Sequence, residues 1–258
     1  MTKLCRPLIT AHTGCEDSPA NTIASVLAAS QAGADVVEID LRTSGDGFPV
    51  LVHDSYLEGR GGARIHVPSR SYRELQSFAE QHTLELTPLE EILSEVRRIG
   101  CMLNIDLKDI NSIDHVQQRI RSFGLTHNVI ISGCSVDWAG EIAKEMSQLR
   151  VLLNVYSEDI LSSPENRRTH MEDMVLFALE HGCCGINIDF EICTPDLVDF
   201  ARKRFLPISV WTVDRREDML NMLEMGVFAI TTYHPALLSE MTRRSPAELV
   251  DGPNRALP

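Results

Sequence analysis

His12, Glu38, Asp40 and His53 are residue types that can do acid–base and metal chemistry, and they fall within about the first fifth of the chain. Glu38 and Asp40 stand two apart in the run Asp35-Val36-Val37-Glu38-Ile39-Asp40-Leu41. On a β-strand residues i and i+2 point to the same side. The flanking residues are apolar, so the two carboxylates would face one another in a mostly dry place. That is electrostatically poor unless a cation or a proton sits between them. Oxygen ligands suit Mg²⁺ or Ca²⁺, or else Mn²⁺, better than zinc. His12 and His53 follow the short apolar runs Leu8-Ile9-Thr10-Ala11 and Val50-Leu51-Val52. Two imidazoles beside a hard cation can serve as an acid and a base. The alternative is two satisfied core carboxylates and two structural histidines.

Elements of a particular kind must position these groups. Short apolar runs alternate with amphipathic ones along the whole chain. Strands are expected over 7–11, 35–41, 101–107, 128–132, 150–155, 185–189, 207–213 and 227–231. Helices are expected near 21–32, 88–99, 114–123, 137–148, 170–181, 195–204, 215–225 and 235–243. Start signals such as Thr87-Pro88-Leu89-Glu90 and Thr194-Pro195 precede some of them, and Gly33, Gly100, Gly124, Gly182 and Gly226 follow others. Eight strand–helix units in 258 residues predict a (β/α)₈ TIM barrel. A doubly wound open sheet is the runner-up, but no Gly-x-Gly-x-x-Gly follows the first strand. The rhythm breaks over about 42–87, read as a small insertion after strand two. It holds a hairpin around Ser44-Gly45-Asp46-Gly47, and Gly59-Arg60-Gly61-Gly62 reads as a loop tip rather than a phosphate cradle. The whole chain, 1–258, is read as one domain, with a poorly ordered tail from Ser245, about 245–258.

The barrel expectation bears on the chemistry. Catalytic groups in such barrels gather at the C-terminal ends of the strands. His12 follows strand one, Glu38 and Asp40 lie late in strand two, Asp106 and Lys108 close strand three, and Trp211 and Asp214 close strand seven. The polar residues collect at one end, whereas a purely structural account would scatter them.

Composition narrows the function classes. A net charge of −13 and a pI near 5.1 argue against a nucleic-acid binder and against attachment to anionic lipid. A small anionic substrate stays open, because a local metal can reverse the field in a cleft. No apolar stretch reaches membrane-spanning length, so membrane insertion is not expected. Seven scattered cysteines without a Cys-x-x-Cys pair read as reduced thiols in a cytoplasm. Cys15, close to His12, is a conceivable nucleophile, though a packing role is the better reading. Self-association is left open.

The motifs resemble those of the glycerophosphodiester phosphodiesterase family. Its stretches His-Arg-Gly, Pro-Glu-Asn-Thr, Gly-Ala-Asp-x-x-Glu-x-Asp and His-Asp correspond here to His12-Thr13-Gly14, Pro19-Ala20-Asn21-Thr22, Gly33-Ala34-Asp35-Val36-Val37-Glu38-Ile39-Asp40 and His53-Asp54. Thr87-Pro88-Leu89-Glu90-Glu91-Ile92-Leu93, Asn104-Ile105-Asp106-Leu107-Lys108 and Val210-Trp211-Thr212-Val213-Asp214 match later segments in the same order. The resemblance implies hydrolysis of a small phosphodiester on the same barrel. It implies that Glu38, Asp40 and Asp106 hold one divalent cation, that His12 and His53 are the acid–base pair, and that Lys108 helps neutralise phosphate. Trp211 would line the pocket for the non-phosphate group. The chain departs from the pattern at Thr13 (family arginine), Ala20 (glutamate), Asp106 (glutamate) and Thr232-Tyr233-His234-Pro235 (Thr-Asp-x-Pro). Losing an arginine removes a bidentate phosphate contact, so an altered substrate choice is expected, with Tyr233 and His234 reshaping the strand-eight side of the pocket. Two rivals remain: a phospholyase that stops at a cyclic phosphate, and a non-catalytic phosphodiester-binding protein.

Overall fold

A computed structural model describes residues 6–145, 148–158 and 167–243. Eight parallel strands form its centre: β1 (Leu8–Ala11), β2 (Val36–Thr43), β6 (Met102–Leu107), β7 (Val129–Cys134), β8 (Arg150–Val155), β9 (Gly185–Asp189), β10 (Ile208–Trp211) and β11 (Ala229–Thr232). Each pairs with its neighbour in chain order, and β1 pairs with both β11 and β2. The sheet therefore closes, which an open doubly wound sheet cannot do. The expected strands agree to within about two residues at either end. Helices cover the outside: α1 (Ile23–Gln31), α3 (Leu89–Ile99), α4 (Ile113–Ser122), α5 (Val136–Glu145), α6 (Arg167–Glu180), α7 (Pro195–Arg202), α8 (Arg216–Met225) and α9 (Pro235–Arg243). Outward strand residues such as Ile9, Ile39, Ile105 and Ile131 pack against them, and these form the main apolar core. Among the described residues no helix is long and apolar enough to cross a membrane. The tail expected from Ser245 lies outside the described residues.

The insertion after β2 is more ordered than its polar sequence suggested. β3 (Pro49–Val50) returns antiparallel to β2 around the turn at Ser44–Phe48. β4 (Tyr56–Glu58) and β5 (Arg64–His66) form a second hairpin, with Gly59-Arg60-Gly61-Gly62 as its turn. A helix the periodicity did not predict, α2 (Tyr72–His82), follows. Its signal was present: Ser71 and Glu74 form a reciprocal capping box, and Leu75 and Ala79 are its buried face.

Inside the barrel the side chains depart from the usual aliphatic layers. Thr10, Asn104, Ser132, Asn154, Asn187, Ser209 and Thr231 are buried polar residues of seven different barrel strands. Such groups need partners once removed from water. Asn104 donates to Ser132 at 2.9 Å, and Asn154 accepts from the Gly133 amide at 2.9 Å. Gly133 is required here. Its φ is +76°, and a Cβ there would lie 2.3 Å from the Leu107 carbonyl oxygen.

Candidate active site

The strand register brings the acidic groups together. Asp40 of β2 pairs directly with Asp106 of β6, and Glu38 pairs with Asn104. All have the inward parity, so the carboxylates of Glu38, Asp40 and Asp106 offer oxygens within 4.8 Å of one another. Asp40 is 1 % exposed. Three acids this close repel one another unless positive charge lies between them. Burial pushes the Glu38 carboxyl up, His12 pulls it down, and Asp40 and Asp106 push it up again, to about 7.

Each carboxylate is held by specific donors. The Thr13 amide donates to Glu38 Oε2 at 2.8 Å. Asn21 clamps Asp40: its Nδ2 donates to Asp40 Oδ2 at 3.0 Å, and its Oδ1 accepts the Asp40 amide at 2.8 Å. Asn21 adopts φ +60°, a left-handed conformation that asparagine tolerates. Ser132 Oγ donates to Asp106 Oδ1 at 2.7 Å. One oxygen, Asp40 Oδ1, is buried with no donor aligned on it among the described residues, although Lys108 Nζ lies 3.0 Å away. Asn21 carried no assigned role at the level of sequence beyond its place in a motif. Replacing it with alanine would leave Asp40 short of a donor and its amide short of an acceptor. The expected cost is about 1–3 kcal/mol, read as a lower denaturation midpoint at an unchanged m-value. An unchanged midpoint would mean that the clamp contributes nothing.

A cleft of about 190 Å³ opens above these groups, lined by His12, Glu38, His53, Asp106, Lys108 and Trp211 among others. Both histidines thus face one cavity from different elements: His12 just past β1, His53 in the loop after β3. The tautomers follow from the partners. His12 Nδ1 is 2.9 Å from the Thr13 carbonyl oxygen, which only accepts, so Nδ1 carries the proton and Nε2 is left free. His53 Nδ1 is 2.9 Å from Asp54 Oδ1, which leaves His53 Nε2 free in the same way. The His12 side chain is 20 % exposed and that of His53 is 62 % exposed, so one is set deep beside Glu38 and the other at the mouth. Asp54 is held below the usual carboxylate range by its hydrogen bond with His53.

Tyr233 packs its ring 4.2 Å from that of His12. The two loops are stitched together, with the His12 amide donating to the Thr232 carbonyl and the Glu16 amide to that of Tyr233. Trp211 meets Tyr156 edge-on at 5.6 Å, and its buried Nε1–H has no acceptor among the described residues.

Lys108 lines the cleft and is also paired with two of the acids, whereas Thr13 lies outside the cleft lining. Lys108 Nζ donates to Asp106 Oδ2 at 2.5 Å and lies 3.0 Å from Asp40 Oδ1. Burial works against its charge, but Asp106 and Asp40 outweigh burial and raise its pKa above the ordinary lysine value. Thr13 is buried and outside the cleft lining, because its backbone turns the side chain toward Asn21, whose amide donates to Thr13 Oγ1 at 2.6 Å. Cys15 is fully buried, and burial lifts its thiol to about 11, which leaves it neutral and inert. Asp189 caps the turn that follows β9 by accepting the Glu191 amide. Sequence reasoning passed over Asn104, Ser132, Asn154, Tyr156 and Asn187, which line the cleft floor and wall. The only local signal was a polar residue at inward parity in an otherwise apolar strand.

A model of the glycerophosphoryl diester phosphodiesterase family matches residues 12–237. Among curated proteins, a glycerophosphodiester phosphodiesterase of Caldanaerobacter subterraneus subsp. tengcongensis is 27% identical over 93% of this chain and 99% of its own length. One from Bacillus altitudinis is 28% identical over 88% of this chain and 94% of its own. Among solved structures, a glycerophosphodiester phosphodiesterase of Thermotoga maritima superposes with a TM-score of 0.74 at 20% identity, covering 92% of this chain and 99% of that one. An Oleispira antarctica phosphodiesterase in complex with the product sn-glycerol-3-phosphate superposes with a TM-score of 0.73 at 21% identity, over 92% and 97% of the two chains. At those identities the structural likeness is one of fold.

Proposed function

The chain belongs to the glycerophosphoryl diester phosphodiesterase family, and on that premise we propose that it hydrolyses a small glycerophosphodiester with the aid of a divalent cation and two histidines. The observation that carries the reading is the convergence of Glu38, Asp40 and Asp106 beneath a cleft that His12 and His53 both line. An all-oxygen donor set suits Mg²⁺, Ca²⁺ or Mn²⁺, and the unaligned Asp40 Oδ1 is an oxygen such an ion would satisfy. Glu38, Asp40 and Asp106 would hold the ion, which when bound would neutralise phosphate charge and make an attacking hydroxyl more acidic.

The protein's own groups supply the proton transfers. His12 is set deep, its Nδ1 3.6 Å from Glu38 Oε2, and its Nε2 would take the proton of the attacking group, either water itself or a neighbouring substrate hydroxyl whose cyclic ester water then opens. His53 stands at the mouth, where a departing alcohol leaves; in its imidazolium form, with Nδ1–H on Asp54, it would give the Nε2 proton to that oxygen and return to the neutral ring. Asp54 fixes the His53 ring and offsets its positive charge. Tyr233 packs against the His12 ring, and Trp211 would form the wall for the non-phosphate group. Thr13 supports the site through its amide on Glu38 and its hydroxyl on Asn21 rather than through phosphate.

The test is a panel of glycerophosphodiesters assayed with Mg²⁺, Ca²⁺ and Mn²⁺ and followed by phosphorus NMR. The expected result is cation-dependent release of an open phosphomonoester. Accumulation of a cyclic phosphate would replace hydrolysis by phospholyase chemistry. Absence of turnover with every member would leave a binding protein.

A further inference from the structure

Lys108 shares its carboxylates with the proposed cation site. Ser132 and Asn21 already occupy Asp106 Oδ1 and Asp40 Oδ2. Neither of these two donors reaches Asp40 Oδ1 or Asp106 Oδ2. The Lys108 ammonium donates to Asp106 Oδ2 at 2.5 Å and lies 3.0 Å from Asp40 Oδ1 as an ion pair. Its side chain is 17 % exposed, and it lines the cleft together with His12 and His53. A divalent ion bound by the triad would draw on the same carboxylates and would repel an ammonium so close.

We propose that Lys108 is a tethered counter-cation of the triad, which a divalent ion displaces into the cleft, where its ammonium then faces the phosphate. The inference rests on the metal-binding reading above. It assigns Lys108 a second position and couples ion binding to the arrival of a positive charge at the substrate. The three acids are thereby compensated at every stage, by lysine or by metal, and phosphate meets the ammonium only once the ion is in place.

The experiment uses the full chain and Ca²⁺ as the probe. Calorimetric titration compares wild type with Lys108→Gln. In parallel, reductive methylation read by mass spectrometry follows Lys108 in the wild type with and without Ca²⁺. The sequence contains four lysines, Lys3, Lys108, Lys144 and Lys203, so the labelled peptides separate cleanly, and the exposed Lys144 and Lys203 serve as internal references. Lys108→Gln is expected to bind Ca²⁺ tighter by about tenfold or more, the scale set by removing a neighbouring like charge. Lys108 labelling in the wild type is expected to rise severalfold on Ca²⁺ saturation while the references hold steady. Ca²⁺ binding by wild type, with no gain in Lys108→Gln and no change in labelling, overturns this inference and leaves the metal reading intact. Absence of Ca²⁺ binding in both proteins overturns the two together. The labelling arm needs no variant, so a misfolded Lys108→Gln would not blunt the test.

Discussion

Asp40→Asn should lower cation-dependent turnover by roughly 10²–10⁴, as should excess chelator on the wild type. The size follows from the several kcal/mol of charge stabilisation that a bound metal gives a phosphoryl transition state, with each 1.36 kcal/mol worth tenfold. Asn is chosen over Ala because it keeps the shape and can still accept the Asn21 Nδ2 hydrogen bond on its amide oxygen. The loss should therefore appear in turnover and in ion affinity, with little change in the unfolding midpoint. Full activity in excess chelator would refute the metal assignment outright. A large fall in stability with unchanged ion affinity would make Asp40 a structural acid instead.

The second large effect concerns the histidines, and the structure makes it asymmetric. Replacing either His12 or His53 with alanine should cost roughly 10²–10⁴ in kcat on an alkyl phosphodiester, the usual contribution of a positioned acid or base. The two should part company on an aryl phosphodiester, whose leaving group departs without needing a proton. There the His53→Ala defect should shrink to a small factor, because His53 is read as the acid at the mouth. The His12→Ala defect should persist, because the nucleophile must still lose its proton. Equal losses on both substrates would remove the distinction, and the reverse pattern would exchange the roles.

Much of the architecture is legible because it is locally encoded. Eight apolar runs, each followed by an amphipathic one, leave the closed barrel as the economical arrangement, and the strand positions follow from burial periodicity alone. The i, i+2 spacing of Glu38 and Asp40 places both on one face of β2 before any neighbour is known. The failures are equally physical. α2 lies inside the insertion, outside the strand–helix alternation that located the other helices. Yet Ser71 and Glu74 carried the cap signal.

The sequence by itself determined which strand ends carry the chemistry and which of their residues point inward, since strand parity and helix punctuation act over a few residues. Only the tertiary structure decided what those residues touch. The β2–β6 register sets Asp106 beside Asp40. The turn after β1 sends His12 into the cleft and Thr13 away from it, toward Asn21. The bulge at Gly133 lies beside Ser132, which reaches Asp106. Lys108, read as a phosphate contact, lies between two carboxylates because unlike charges in a poorly solvated barrel pair with the nearest partner. Several of these contacts join residues distant in the chain, up to 68 positions apart for Asp40 and Lys108. Their geometry depends on register and loop backbone, which no local pattern of residue types encodes.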